Sequence, residues 1–251
     1  MKNIIFLLVI VATLISCKKD PKVGDIRLVM NHNVAGANFV LDEMNYTSPA
    51  SHDYEVTKLW YYISEVSFLS EDGSKHTVSG GHLTKLEDAT TFNHTLNNIE
   101  PGTYNKIQFQ FGISKELNKD AYLENTQDNQ NMAWPVQMEA EGEKGAYHYM
   151  KFEGRYDSLN TGKMKNFIMH SGPTHGADNS FSVTLNLNDL KVDGNSHEIH
   201  LEMDLQEWLQ NPTLYDYRFY SMVMMNQNTQ DIYKANGQSV FSLGDIFLDA
   251  E

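Results

Sequence analysis

The sequence predicts an all-β fold, an antiparallel β-sandwich with a few short helices, mainly towards the C-terminus. Three observations carry this. Apolar and polar residues alternate with period two in run after run along the chain. Glycine, proline and asparagine turn signals separate those runs, giving roughly eight to ten strands. With an N-terminal leader set aside, about 230 residues remain, which suits one large β domain.

The first strand is Asp25 to His32, with Ile26, Leu28, Met30 and His32 on one face. Gly36 marks a turn, and Phe39-Val40-Leu41 reads as the start of a return strand. Tyr54 to Leu69 is rich in aromatic and β-branched residues on both faces, which marks a central strand. Glu71-Asp72-Gly73-Ser74 is a hairpin signal, and His82 to Leu86 is a weaker strand. The turn Pro101-Gly102 leads into a strand with Ile107, Phe109, Phe111 and Ile113 on one face. Asn118 to Asn131 is polar and without period, a long loop with room for one helical turn. Tyr147 to Tyr156 and Met164 to His170 are partner strands around the turn Asn160-Thr161-Gly162-Lys163. Phe181 to Leu187 alternates, and after the turn at Gly194 so do His197, Ile199, Leu201, Met203 and Leu205. Asp204 and Glu207 form a capping-box pattern before a short helix that Pro212 stops. Ser221 to Asn236 reads as a helix capped by Gly237, and the tail beyond it carries no strong signal.

The N-terminus reads as an address. Lys2 precedes an apolar run, Ile4 to Ile15, that is too short to span a bilayer. It ends in Leu14-Ile15-Ser16-Cys17, which resembles a bacterial lipoprotein cleavage box. The expected organisation is a signal peptide over 1–16, a lipidated tether over 17–24 starting at Cys17, and a single domain over 25–251. Cys17 is the only cysteine, so neither a disulfide framework nor a cysteine-based zinc site is available. Lys18 after Cys17 resembles lipoproteins exported to the outer membrane. The net charge of −14 argues against a nucleic-acid partner.

Residues that could carry chemistry gather between Met132 and Gly176. His148 lies between two tyrosines, His170 ends a strand at a Gly-Pro turn, and Trp134 precedes them. His32 likewise ends a strand beside a glycine turn. Imidazole suits copper, zinc, iron and nickel, and nearby thioethers favour copper(I). His76, His94, His197 and His200 read as surface residues, and His52 and His82 carry no clear signal. Met222, Met224 and Met225 fall within the expected helix, where methionine is ordinarily core filler. Glu139, Glu141 and Glu143 lie in a loop-like acidic insert rather than on a rigid frame, and no HExxH motif or nucleophile elbow occurs. Hydrolysis has no positive case, and the chain is expected not to be an enzyme.

Several features match a known family in order: His32 with Gly36; Lys58-Leu59-Trp60-Tyr61-Tyr62-Ile63-Ser64; Pro101-Gly102-Thr103-Tyr104 leading to Gly112-Ile113; Met132-Ala133-Trp134; Tyr147 to Gly154; and His170-Ser171-Gly172. From Asp25 to Leu187 the chain resembles the MbnP-like family, the methanobactin-associated copper-binding proteins, and in particular its Bacteroidetes-type lipoproteins. The resemblance implies a β-sandwich that binds copper through histidines together with a tryptophan oxidised to kynurenine. It also implies a di-haem peroxidase-type cytochrome as the partner that performs the oxidation. Carried onto this chain, the implied ligands are His32, His148 and His170, and the oxidisable residue is Trp134. The expected function is a lipid-anchored, outer-membrane envelope protein that binds copper. The alternative is a surface glycan- or protein-binding lipoprotein without metal, which would use Trp134, Tyr147 and Tyr149 as exposed stacking aromatics.

Overall fold

A computed structural model describes residues 22–135 and 145–249. The leader, Cys17 and the carboxylates Glu139, Glu141 and Glu143 lie outside the described residues. Two sheets pack face to face. The first runs β12 (Phe241–Asp249), β11 (Ser196–Asp204), β1 (Gly24–Val34), β2 (Ala37–Asn38), with β6 (Asn93–Ile99) also on β1. The second runs β10 (Phe181–Val192), β7 (Gly102–Phe111), β4 (Asp53–Leu69), β8 (Met150–Asp157), β9 (Met164–Ser171), with β3 (Tyr46–Thr47) and β5 (Lys75–Lys85) also on β4. All pairings are antiparallel except β1 with β11, where Ile26 to Asn33 run parallel to His197 to Asp204. The sandwich and its mainly antiparallel character are as the alternation predicts.

The core lies between the sheets. Ile26, Leu28 and Met30 of β1 and Ile199, Leu201 and Met203 of β11 face Tyr61, Phe109, Phe111 and Phe152 of the other sheet, all of them buried. Phe241 touches both Phe109 (ring centroids 5.2 Å apart) and Phe111 (5.9 Å), so the aromatic rings lock the sheets together. Each such ring or branched side chain contributes about 1.5–3 kcal/mol on burial.

Four expectations are corrected. Phe39-Val40-Leu41 forms no return strand; the antiparallel partner of β1 is only the pair Ala37–Asn38. Ile113 does not share the core face of Phe111, because Gly112 adopts φ +79° and turns the chain to the outer side of the sheet. The tail is a strand, β12, whose period is broken where Gly244 and Asp245 stand opposite the single residue His200 of β11. The last long helix, α2, spans only Gln227–Asn236. Its first turn is fixed by the Asn226 side chain accepting from the Thr229 amide. Ser221 to Val223 instead run beside β9, where the Ile168 amide donates to Ser221 O (2.8 Å) and the Val223 amide to Ile168 O (3.4 Å). Those bonds partner backbone groups on the outer edge of β9.

Candidate metal centre

The site grows out of a joint in the second sheet. Strand β4 is too long for one partner, and along one side it pairs first with β8 and then with β7. The change falls at Tyr62, whose amide donates to Tyr149 O (3.0 Å) and whose carbonyl accepts from the Gly112 amide (2.8 Å). Gly112 is required there: its φ is left-handed, and a Cβ would lie 2.5 Å from Tyr149 Cγ. Over the joint, on the outer face, Tyr62, Ile113, Leu123, Met132 and Tyr149 form a second small core. The short helix α1 (Gln127–Asn131), capped by Thr126, ends at Met132 and delivers the following residues onto this core. Residues 132–134 then pair with 146–148: Trp134 donates its amide to Ala146 O (2.7 Å), and His148 donates its amide to Met132 O (2.7 Å).

This pairing places Trp134, His148 and His170 side by side. The Trp134 and His148 ring centroids are 4.8 Å apart, and those of His148 and His170 are 5.1 Å apart with their planes at 88°. Trp134 is 2 % exposed and His148 is 3 % exposed. The benzo edge of the indole lies on Gly172, where a Cβ would come within 2.3 Å of Cζ3. Only glycine leaves room for the ring.

Each histidine is fixed in one tautomer by its second nitrogen. His148 Nδ1 donates to Met132 O (3.0 Å), so the lone pair sits on Nε2. That Nε2 is buried and has no hydrogen-bond partner among the described residues. His170 Nε2 donates to Glu153 Oε1 (2.8 Å), so its lone pair sits on Nδ1. Burial, with Lys151 and His170 adding to it, pushes the His148 pKa down to about 3, so the ring is neutral near pH 7. The hydrogen bond from His170 holds the Glu153 carboxyl below its usual range, despite partial burial. Lys151 is directly across the strand pair from His170, and its ammonium donates to Asn131 O (2.6 Å). Gln230 of α2, fully buried, donates to His170 O (3.1 Å) and to Thr174 Oγ1 (2.9 Å), bracing the end of β9.

His32 is not brought to this group. It faces the sandwich interior, where its Nε2 and the Tyr61 hydroxyl share a hydrogen bond of 2.9 Å, and its ring lies 5.1 Å from that of Phe92. His170 aligns with Lys151 and Trp60 on the outer face, whereas Tyr61 belongs to the inner one. The sheet itself therefore separates His32 from the pair. His32 opens onto a cleft of about 800 Å³ lined by Phe39, Leu41, Leu86 and Phe92. Among the described residues no group of three or more His, Cys, Asp or Glu side chains is placed to hold a metal ion. The cluster here is thus two imidazoles with the indole beside them.

Of the histidines expected at the surface, His94 and His197 depart from that reading, and His52 and His82, which carried no clear signal, also have defined partners. His52 is fully buried, with Nε2 donating to Asp216 (3.1 Å) and Nδ1 accepting from the Leu159 amide (3.0 Å). His197 is buried against Lys191 O, and His82 and His94 stack at 4.4 Å between the two sheets. Trp134 and Tyr149 are not an exposed stacking platform, since both are buried. Sequence reasoning gives no role to Glu153 and Gly172, although both fall within the matched stretches, and does not single out Gln230. Glu153 could have been found, because it alternates with Lys151 on one strand face; Gln230 carries no local signal.

Comparison with curated proteins gives no match. Among solved structures the chain is similar to MbnP from Methylosinus trichosporium at 12% identity, with 91% of this chain and 100% of that chain covered and a TM-score of 0.48. The MbnP family profile matches residues 23–226, a span that holds both sheets up to β11 and all of the Trp134, His148 and His170 cluster, and the chain belongs to the MbnP family.

Proposed function

We propose that the protein binds copper at His148 and His170, with Trp134, native or oxidised to kynurenine, completing the site. The observation that carries this reading is the His148 Nε2 lone pair, buried and without a hydrogen-bond partner among the described residues. A buried polar atom left unpaired costs about 1–3 kcal/mol, which a bound metal would recover. Both rings also have the outer partner that a ligating imidazole needs, a carbonyl at Met132 for His148 and a carboxylate at Glu153 for His170. Two neutral nitrogens are a small, soft-tolerant donor set that suits copper(I). The ammonium of Lys151 nearby opposes a doubly charged ion more than a singly charged one.

In this reading the protein is not an enzyme. It is held at the cell envelope, in the outer membrane, through a lipid on Cys17. A di-haem peroxidase-type cytochrome is its oxidising partner, and no nucleic acid is involved. The burial of Trp134 favours an enzymatic oxidation over incidental attack from solvent.

The test is anaerobic Cu(I) titration against a coloured chelator. Wild type is expected to bind one ion at the histidine pair, His148→Ala and His170→Ala each to bind one ion fewer than wild type, and His32→Gln to match wild type. Absence of stoichiometric copper in wild type, or equal binding by His148→Ala, would sink the assignment. Mass spectrometry of the peptide bearing Trp134, from protein isolated from its native host, tests the kynurenine; an unmodified mass there rejects it.

A further inference from the structure

The segment Ser221 to Met225 contradicts the ordinary role of methionine. Met30, Met132, Met150, Met169 and Met203 are all fully buried, as core filler should be. Met222 and Met225 are 66% and 63% exposed. They are not on a helix face: Ser221 to Val223 run beside β9, and Met224 and Met225 form the turn that follows, closed by the Asn226 amide donating to Val223 O (3.0 Å), before α2 begins at Gln227. It is also well held: besides the two backbone bonds to Ile168, the Thr174 hydroxyl donates to Met224 O (2.6 Å).

The register fixes where the Met222 thioether stands, and Met224 and Met225 follow it in the adjoining turn. Met222 pairs with Ile168 in a parallel bridge, so the two side chains share a face. Ile168 lies opposite Glu153, and His170 lies opposite Lys151, on that same outer face. Met222 is therefore a diagonal neighbour of His170, at the roughly 7–8 Å that long side chains can bridge. Ser221 to Met225 contains no carboxylate, in a chain of net charge −14. A hard cation such as calcium finds no ligand there, whereas thioether sulfur selects soft monovalent ions.

We propose that Met222, Met224 and Met225 form a second, solvent-facing thioether site that takes up Cu(I) at the rim of the histidine pair. The choice of copper rests on the copper reading of that pair; the site itself rests on the exposure of Met222 and Met225, the register of Met222 and the place of half-buried Met224 between them.

The test uses purified protein carrying ¹³C-methyl methionine, with silver(I) as an oxidation-resistant probe for Cu(I). Methyl and histidine-ring resonances are followed in wild type and in the His148→Ala/His170→Ala variant. The methyl signals of Met222, Met224 and Met225 are expected to move in both proteins, while those of Met30 and Met203 stay. The Met222→Leu/Met224→Leu/Met225→Leu variant in the His148→Ala/His170→Ala background should take up no stoichiometric silver(I), whereas the His148→Ala/His170→Ala variant takes up one ion. If the three methyl signals stay fixed while the His148 and His170 rings respond, the thioether site is wrong and the histidine site stands. If the methyl signals move and the rings do not, the thioether site stands alone. If nothing moves, both fall.

Discussion

Replacing Gly172 by alanine tests whether Trp134 is held as tightly as the geometry demands. The new methyl would lie 2.3 Å from Cζ3, 2.6 Å from Cε3 and 3.0 Å from Cη2 of the indole. Ordinary carbon contacts are about 3.5–4.0 Å, so ring or strand must yield by about 1 Å or more. The indole is rigid and 2% exposed, with His148 against it, so the movement is not free. Overpacking of this kind costs about 1–3 kcal/mol. For a chain of this length that lowers Tm by roughly 2–10 °C. Trp134→Phe alone should cost about 2–4 kcal/mol by leaving a cavity. In the double variant the added methyl fills part of that cavity, so the two losses should fall short of their sum by about 1 kcal/mol or more. Urea unfolding followed by far-ultraviolet circular dichroism reads all four corners of the cycle. Losses that add to within about 0.5 kcal/mol would refute the contact.

Two further outcomes follow from hydrogen bonding and burial. Glu153→Ala removes the acceptor that fixes the His170 tautomer and should weaken Cu(I) binding about 10–100-fold in chelator competition with the fold intact; unchanged affinity would deny Glu153 that role. Burial lowers His32 and His94 to about 4 from 6.5, so between those values the unfolded chain binds more protons than the folded one. Stability is then complete above about pH 6.5 and falls towards pH 4 by at most about 1.4 kcal/mol per pH unit for each histidine. Urea midpoints across that window should drop in wild type and drop less in His94→Gln; a flat wild-type profile contradicts the burial of both rings.

The fold was legible where one face of a strand is buried. Ile26, Leu28 and Met30, or Ile199, Leu201 and Met203, alternate because one side meets the opposite sheet. It was illegible where a bulge breaks the period, as at Gly244-Asp245 in β12, and where tertiary pairing overrides helix propensity, as at Ser221 to Val223. Trp134, His148 and His170 could be singled out by type and position. That His32 is separated from them depends on which face of β1 meets which face of β4, and a pattern of period two does not number the sheets. The tautomers were equally out of reach, since they rest on the carbonyl of Met132 and on a diagonal contact from Glu153.

The position of the pair follows from the length of β4. Its 17 residues extend about 55 Å, more than the 8 residues of β8 or the 10 of β7 can cover alone. Two partners placed end to end leave a joint, and a joint exposes backbone and apolar side chains that something must cover. The chain that leaves β7 and returns to β8 does so: Ile113, Leu123 and Met132 fill the outer core with Tyr62, and the pairing of residues 132–134 with 146–148 sets Trp134 beside His148. Strand β9 pairs with β8 and ends at the same level, because Tyr149 donates its amide to Ser171 O (2.8 Å), which sets His170 beside His148. Covering the joint therefore requires apolar residues, whereas two fixed imidazoles with opposed tautomers do nothing for the covering. A relative could keep Tyr62, Gly112 and Tyr149 and the whole sandwich while losing His148 or His170. In this chain both are present, with Met132 O placed to orient His148, Glu153 to orient His170 and Gly172 to seat Trp134.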